Sequence, residues 1–247
     1  MGSSESEEAT RVLVRPGRIK AFIETIGREI AAGAVSPGAA LPAEPELMAR
    51  FGLSRSVVRE GIKILAAKRL VAVSPRIGTR VRPREEWQML DREVLTWIAA
   101  SGPGGPELWR AIDEVRSIIE PAAAALAARR AEPAHLDALR EAFARMERAA
   151  QAGEAEAAID ADRAFHLAIL KATKNPVLIS FETAVDAILG VLFRVTAGTH
   201  LSDFRENLAN HGRVLSAIER GDGSEAERAM REVIGFTHAN LIKNNVF

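Results

Sequence analysis

Between Leu41 and Arg84 the chain reads LPAEPELMARFGLSRSVVREGIKILAAKRLVAVSPRIGTRVRPR, a run in which the apolar period changes from helical to alternating. Val58, Ile62 and Leu65 recur at helical spacing on one side, while Arg55, Arg59 and Lys63 recur at i, i+4 and i+8 on another. That spacing predicts an amphipathic helix with a cationic outer stripe. Ser54 stands where an N-cap belongs, its hydroxyl placed to accept from a free amide of the first turn. Ahead of it, Ala43 to Phe51 predicts a shorter helix, and Gly52 supplies the sharp turn between the two. Beyond it, Leu70 to Ser74 alternates as a strand, Pro75 to Gly78 turns, and Thr79 to Arg82 returns with basic side chains. Helix, turn, helix and basic hairpin, in that order, predict a winged helix-turn-helix.

A cationic helix stripe taken alone is usually a solvated face. The distribution of charge argues for more. Arg11 to Arg84 holds fifteen Lys or Arg against five Asp or Glu, whereas Glu85 to Phe247 holds eighteen against twenty-five. A net charge of zero therefore conceals a basic head and an acidic body. Such asymmetry is expected of a part that approaches phosphates.

At 247 residues the chain has room for two modest domains, each with its own core. Cysteine is absent, which excludes disulfides and thiolate chemistry and fits a reducing compartment. The opening MGSSESEEAT has no apolar stretch of the kind a secretion signal needs, so residues 1–15 are expected to be a disordered lead. No apolar run approaches membrane-spanning length, and a cytoplasmic protein without a membrane partner is expected.

Ile19 to Ala32 predicts the first helix, with Ile19, Phe22, Ile23, Ile26 and Ile30 as its core stripe and Gly33 as its stop. After the hairpin, Glu85 to Ala100 reads as a short helical segment carrying Trp87, Leu90, Val94, Leu95, Trp97 and Ile98, and SGPGGP at Ser101 to Pro106 breaks it. The expected organisation is thus a winged helix-turn-helix over 16–84, a linker helix and Gly/Pro break over 85–106, and a helical domain over 107–245. From Glu107 onward only helices are predicted: Glu107 to Arg130, Pro133 to Ala152, Glu154 to Lys174, Pro176 to Ala197, Asp203 to Gly221 and Ser224 to Asn244. The fold class is therefore mainly α, a small β-wing on the first domain and an all-α antiparallel helical bundle for the second. The interior of such a bundle is a natural place for a buried ligand.

Asp162 and His166, at i and i+4 on one predicted helix, leave the same face and are placed to grip one ion. His211 lies on a later helix and Arg116 on the bundle's first. Spacing alone favours a surface ion pair between Asp162 and His166 over a metal site. Mixed oxygen and imidazole donors would suit a divalent first-row metal such as zinc, nickel or manganese.

These residues also carry a family resemblance that covers about Arg18 to Ile242. The joint spacing of Leu41, Pro42, Glu44, Leu47, Ser54, Arg55, Arg59 and Glu60, with Gly78 in the wing, resembles the DNA-binding domain of the GntR superfamily. The resemblance implies that Arg55 and Arg59, with Ser54 and Ser56 beside them, enter the major groove, where an Arg can bond bidentately to guanine. Lys63, Arg76 and Arg80, with Gly78 shaping the wing, are implied as phosphate contacts, which fix register without reading sequence. Many relatives place an Arg directly after the Glu of the LPxE motif. This chain has Pro45 there and so lacks that contact.

Arg116-x3-Glu120-Pro121, Asp162-x3-His166, Asn175-Pro176 and His211 followed by Leu215, Ala217, Ile218, Gly221, Asp222 and Ala226 are similar to the FCD ligand domain of the FadR subfamily. In that family an Asp and three His hold a metal, and an Arg helps hold the effector carboxylate. Asp162, His166 and His211 match three of the four ligand positions, and Val233 stands at the fourth. A three-ligand metal site and a metal-free polar pocket both remain open. The segment PREEWQMLDREVLTWI, the AKRL ending of the second helix and the missing fourth histidine are similar to members that answer to a sugar acid. For an aldonate the implied contacts are Arg116, Asp162, His166 and His211, with Arg194 and Asn207 added from helix placement.

The expected function is a ligand-responsive repressor of sugar-acid catabolism genes. It would be a homodimer on a pseudo-palindromic operator, released by its effector. Two alternatives compete, a regulator answering another carboxylate and a metal-dependent enzyme using Asp162, His166 and His211 to activate water. The enzyme is disfavoured because no general base is placed by motif and a basic winged domain would be idle.

Overall fold

The computed structural model describes residues 16–243 apart from 76, 102–104, 184, 188 and 191–200. It divides into two compact units, Met1–Gln88 and Met89–Phe247.

In the first unit α1 spans Pro16–Ala31, α2 Glu44–Phe51 and α3 Arg55–Ala67, followed by β1 at Val71–Ser74 and β2 at Gly78–Val81. The apolar stripe of α1 packs on α3, and Phe22, Ile26, Ile30, Leu47, Val58, Leu65 and Leu70 are all but sealed from solvent. Phe22 meets Phe51 edge-on, with centroids 5.0 Å apart, tying α1 to α2. Gly52 closes α2 in the left-handed conformation, φ 61°, and returns its N–H to Met48 O. The strands pair antiparallel with Val71 opposite Val81 and Ser74 opposite Gly78, and Gly78 takes φ 92° where the wing turns back.

Gly61 sets how closely α1 and α3 approach, because a methyl group there would overlap the ring of fully buried Phe22. Gly61→Ala should therefore lower the stability of this unit by about 1–3 kcal/mol, the usual cost of overpacking. Thermal or urea unfolding checks this; an unchanged midpoint would show that the ring has room to swing away.

Ser54 occupies the N-cap position of α3, with Val57 N and Val58 N bonded to its carbonyl, but its hydroxyl does not cap. It lies 3.0 Å from Ser56 Oγ instead. The expected side-chain cap is thus corrected: the hydroxyl is on the exposed face beside Arg55. The helix expected over Glu85 to Ala100 is corrected as well. Arg84–Glu86 is one 3-10 turn, Trp87 folds back with Nε1 donating to Arg82 O, and Leu90 is exposed. Helix α4 begins only at Arg92 and runs to Ala99, because the Asp91 carboxylate accepts from the amides of Glu93 and Val94 and starts it there.

The second unit continues with α5 at Gly105–Arg130, α6 at Pro133–Ala152, α7 at Ala155–Ala172 and α8 at Pro176–Ser180. The helix expected from Pro176 to Ala197 is interrupted at Phe181, which caps α8; the helical turn resumes at 182, and residues 191–197 lie outside the described residues. Two long helices complete the bundle, α9 at Leu201–Glu219 and α10 at Gly223–Lys243. Helix α6 packs along α7 and α10 along both α5 and α9, with Leu139, Met146, Phe165, Ile169, Leu170 and Met230 at the centre. Pro121 lies inside α5 and cannot donate to Ser117 O. Arg231 Nη1 approaches that carbonyl at 3.5 Å. Among the described residues no helix is long and apolar enough to cross a membrane.

Candidate functional site

Two polar constellations stand out, one on the exposed face of α3 in the first unit and one in the bundle interior of the second. On α3 the side chains of Arg55, Arg59 and Lys63 are 67%, 65% and 74% exposed. Their common face follows from the i, i+4, i+8 spacing, since Val58, Ile62 and Leu65 turn the opposite face into the core. Glu44, the first residue of α2, lies between two of them: its carboxylate is 4.0 Å from Arg55 Nε and 3.6 Å from Arg59 Nε. Glu44 was legible in the sequence only as a motif residue, and the acidic first turn of α2, with Glu44 and Glu46 ahead of a basic helix, was the available signal. Lys63 reaches Glu60 at 3.3 Å, and Arg80 on the wing donates to Gly38 O at 2.7 Å. Arg76 lies outside the described residues.

The second constellation is buried. Arg116 and Glu120 lie on α5, Asp162 and His166 on α7, and Asn207 and His211 on α9, each an i, i+4 pair. All six are at most 6% exposed. The surface ion pair that spacing favoured for Asp162 and His166 is therefore corrected, since both belong to the core. Burying so many ionisable groups is costly unless they answer one another, and here they do. Arg116 Nε donates to Glu120 Oε1 at 2.6 Å, and the other Glu120 oxygen is 2.5 Å from His166 Nδ1. His166 Nε2 faces Asp162 Oδ2 at 3.6 Å, and His211 Nε2 faces Asp162 Oδ1 at 3.0 Å. His211 Nδ1 meets Asn207 O at 2.9 Å. Burial opposes ionisation of Glu120, but Arg116 and His166 outweigh it and hold the carboxyl well below its ordinary range. For Asp162 burial is likewise overcome, here by His166 and His211, and its pKa is lowered. Burial works against a charged His166, yet the carboxylates of Glu120 and Asp162 raise its pKa.

The donor set fits a divalent metal on a specific observation. A carbonyl can only accept, so His211 Nδ1 carries the proton toward Asn207 O, which leaves Nε2 as the ring nitrogen directed at the Asp162 carboxylate. His211 Nε2 is buried and has no hydrogen-bond partner. A cation between that nitrogen and the carboxylate would answer both, and the available donors of Asp162, His166 and His211 lie within 4.8 Å of one another. Val233, at the position where the resemblance implies a fourth ligand, is buried and apolar; its carbonyl accepts from Asn207 Nδ2 at 3.1 Å.

The Asn207 amide is engaged on both sides, by Val233 O and by Asn210 Nδ2. Arg194 lies outside the described residues. Phe165 packs edge-on to both imidazoles, with centroids 6.1 Å from His166 and 5.6 Å from His211, forming an apolar wall. Glu120 is the site residue that sequence reasoning quoted in a motif without giving it a role. Its i, i+4 spacing from Arg116 was the signal that could have found it.

Residues 19–81 match the family described as bacterial regulatory proteins, gntR family, and residues 111–236 match the FCD domain. The chain is 35% identical over 220 residues to the galactonate operon transcriptional repressor of Escherichia coli (strain K12), covering 89% of this chain and 95% of that protein. It is 34% identical to the HTH-type transcriptional regulator YieP of the same organism, covering 85% and 90%. Among solved structures, the Lar regulator of Listeria monocytogenes superposes with a TM-score of 0.63 at 19% identity, covering 89% of this chain and 94% of that one. The structure of E. coli McbR/YncC superposes with a TM-score of 0.55 at 21% identity, covering 92% and 98%. At these identities the structural matches bear on the fold.

Proposed function

We propose, from the premise that the chain belongs to the gntR family of bacterial regulatory proteins and is a ligand-responsive DNA-binding regulator, that it represses sugar-acid catabolism genes and releases its operator when an aldonate binds among α5, α7 and α9. The observation that carries the ligand assignment is the convergence of three buried polar i, i+4 pairs in a bundle whose described core is mainly apolar. A core gains nothing in stability from such a cluster that matched hydrocarbon would not supply. Its chemistry suits a ligand with one carboxylate and several hydroxyls.

Asp162, His166 and His211 would hold a divalent metal, with neutral imidazole nitrogens and one carboxylate as donors. When bound, the ion supplies positive charge and open coordination positions to an anionic ligand. Arg116 adds fixed positive charge beside them, and Phe165 keeps water from the imidazole faces. On the other unit, Arg55 and Arg59 would read base edges from α3, with Ser54 and Ser56 at its start, while Lys63 and the wing residues Arg76 and Arg80 would neutralise phosphates around the Gly78 turn. A homodimer would present two such units to the half-sites of a pseudo-palindromic operator. The aldonate need favour the DNA-incompetent arrangement by only about 1–3 kcal/mol to shift occupancy.

The testing experiment is a mobility shift on the promoter of the chain's own gene. A retarded complex that dissolves on addition of D-galactonate, and persists with an uncharged hexose, is expected. Retardation that no sugar acid reverses would overturn the effector assignment.

A further inference from the structure

The two imidazoles of the buried cluster are oriented by different means. The ring of His211 is fixed by a main-chain group, its Nδ1 donating to Asn207 O at 2.9 Å, and no substitution of a side chain removes that acceptor. The corresponding nitrogen of His166 meets a side chain. Glu120 Oε2 stands 2.5 Å from His166 Nδ1, and the Glu120 carboxylate is anchored through its other oxygen by Arg116 Nε at 2.6 Å. Two lone pairs would repel at 2.5 Å, so a proton lies between these atoms. The adjacent guanidinium stabilises the carboxylate over the carboxylic acid, which leaves that proton on the ring.

We infer that Glu120 is a positioning residue: it holds the proton of His166 on Nδ1 and so turns Nε2 toward Asp162, completing with His211 a pair of rings that present the same nitrogen to one cation. Arg116 acts through Glu120, holding the carboxylate in the place where it meets His166, rather than serving solely as a ligand anchor. Val233 makes the arrangement more consequential. With an apolar side chain at the fourth position, each of the three donors carries a larger share of the affinity, and a misdirected His166 leaves only two.

The inference rests on the reading that Asp162, His166 and His211 hold a metal, and the experiment separates the two. Full-length protein, stripped of metal, is titrated with zinc against a chromophoric chelator, as wild type and as Glu120→Gln. The variant has the same shape, but its amide either loses the charge on His166 or turns its NH₂ toward the ring and favours the opposite tautomer. An affinity lowered about 10–100-fold, as loss of an outer partner typically costs, is the expected result. In parallel, histidine ring proton–nitrogen spectra of zinc-loaded wild-type protein should show the remaining proton of His166 on Nδ1. This second measurement does not depend on the variant folding. Zinc binding within threefold of wild type in Glu120→Gln, or a His166 proton on Nε2 in the loaded wild type, overturns the role of Glu120 alone. A wild type that binds no zinc overturns the metal reading and this inference with it.

Discussion

Arg55→Ala should nearly abolish the preference for operator over unrelated DNA while leaving the protein folded. The side chain is two-thirds exposed and its nearest charged partner, Glu44, is 4.0 Å away, so its removal costs the fold little. On the proposed reading, what would be lost is a bidentate contact in the major groove, about 1–3 kcal/mol in each half-site, and a dimer would lose it twice. Specific affinity should thus fall by about 2–6 kcal/mol, and affinity for unrelated DNA by far less, because that term is carried by phosphate contacts. Fluorescence anisotropy with both duplexes at fixed salt measures the ratio. If the ratio is retained, Arg55 is not in the groove.

The second large effect is expected from Asp162→Asn. Among the described residues Asp162 is the carboxylate that faces both imidazoles, His166 Nε2 at 3.6 Å and His211 Nε2 at 3.0 Å. The amide fills the same space, so the change removes a negative charge without opening a cavity. Metal affinity should fall by more than the roughly 10–100-fold that loss of an outer partner costs. The aldonate response of the operator complex should disappear while binding to the operator itself persists. Zinc titration and the mobility shift report these separately. An unaltered aldonate response would remove Asp162 from the effector site.

The elements of the first unit were legible in the sequence because periodicity and turn chemistry are local. The face of α3 that is buried and the face that carries Arg55, Arg59 and Lys63 follow from side-chain spacing on a helix of known pitch. Where local rules compete, spacing alone does not decide the outcome. Residues 85–100 hold apolar side chains at helical intervals, yet the Asp91 cap and the return of Trp87 to Arg82 O divide the segment. Phe181 interrupts the segment after Pro176 in the same way. The Ser54 hydroxyl had two partners in reach, a backbone amide and Ser56 Oγ, and spacing does not decide between them.

The candidate site divides along the same line. That Asp162 and His166 share a helix face is a matter of 3.6 residues per turn and was fixed by the chain alone, as were the pairs Arg116 with Glu120 and Asn207 with His211. Charge asymmetry, the absence of cysteine and the family resemblance were equally independent of any fold. Tertiary packing decided that all three faces point inward, that Glu120 meets His166 and that Asp162 lies between two rings. The contacts between helices join Glu120 to His166 and Asp162 to His211, 46 and 49 positions apart in the chain, and they depend on how α5, α7 and α9 rotate about their axes as their apolar sides are buried, a choice that the helical period of any one of them leaves free.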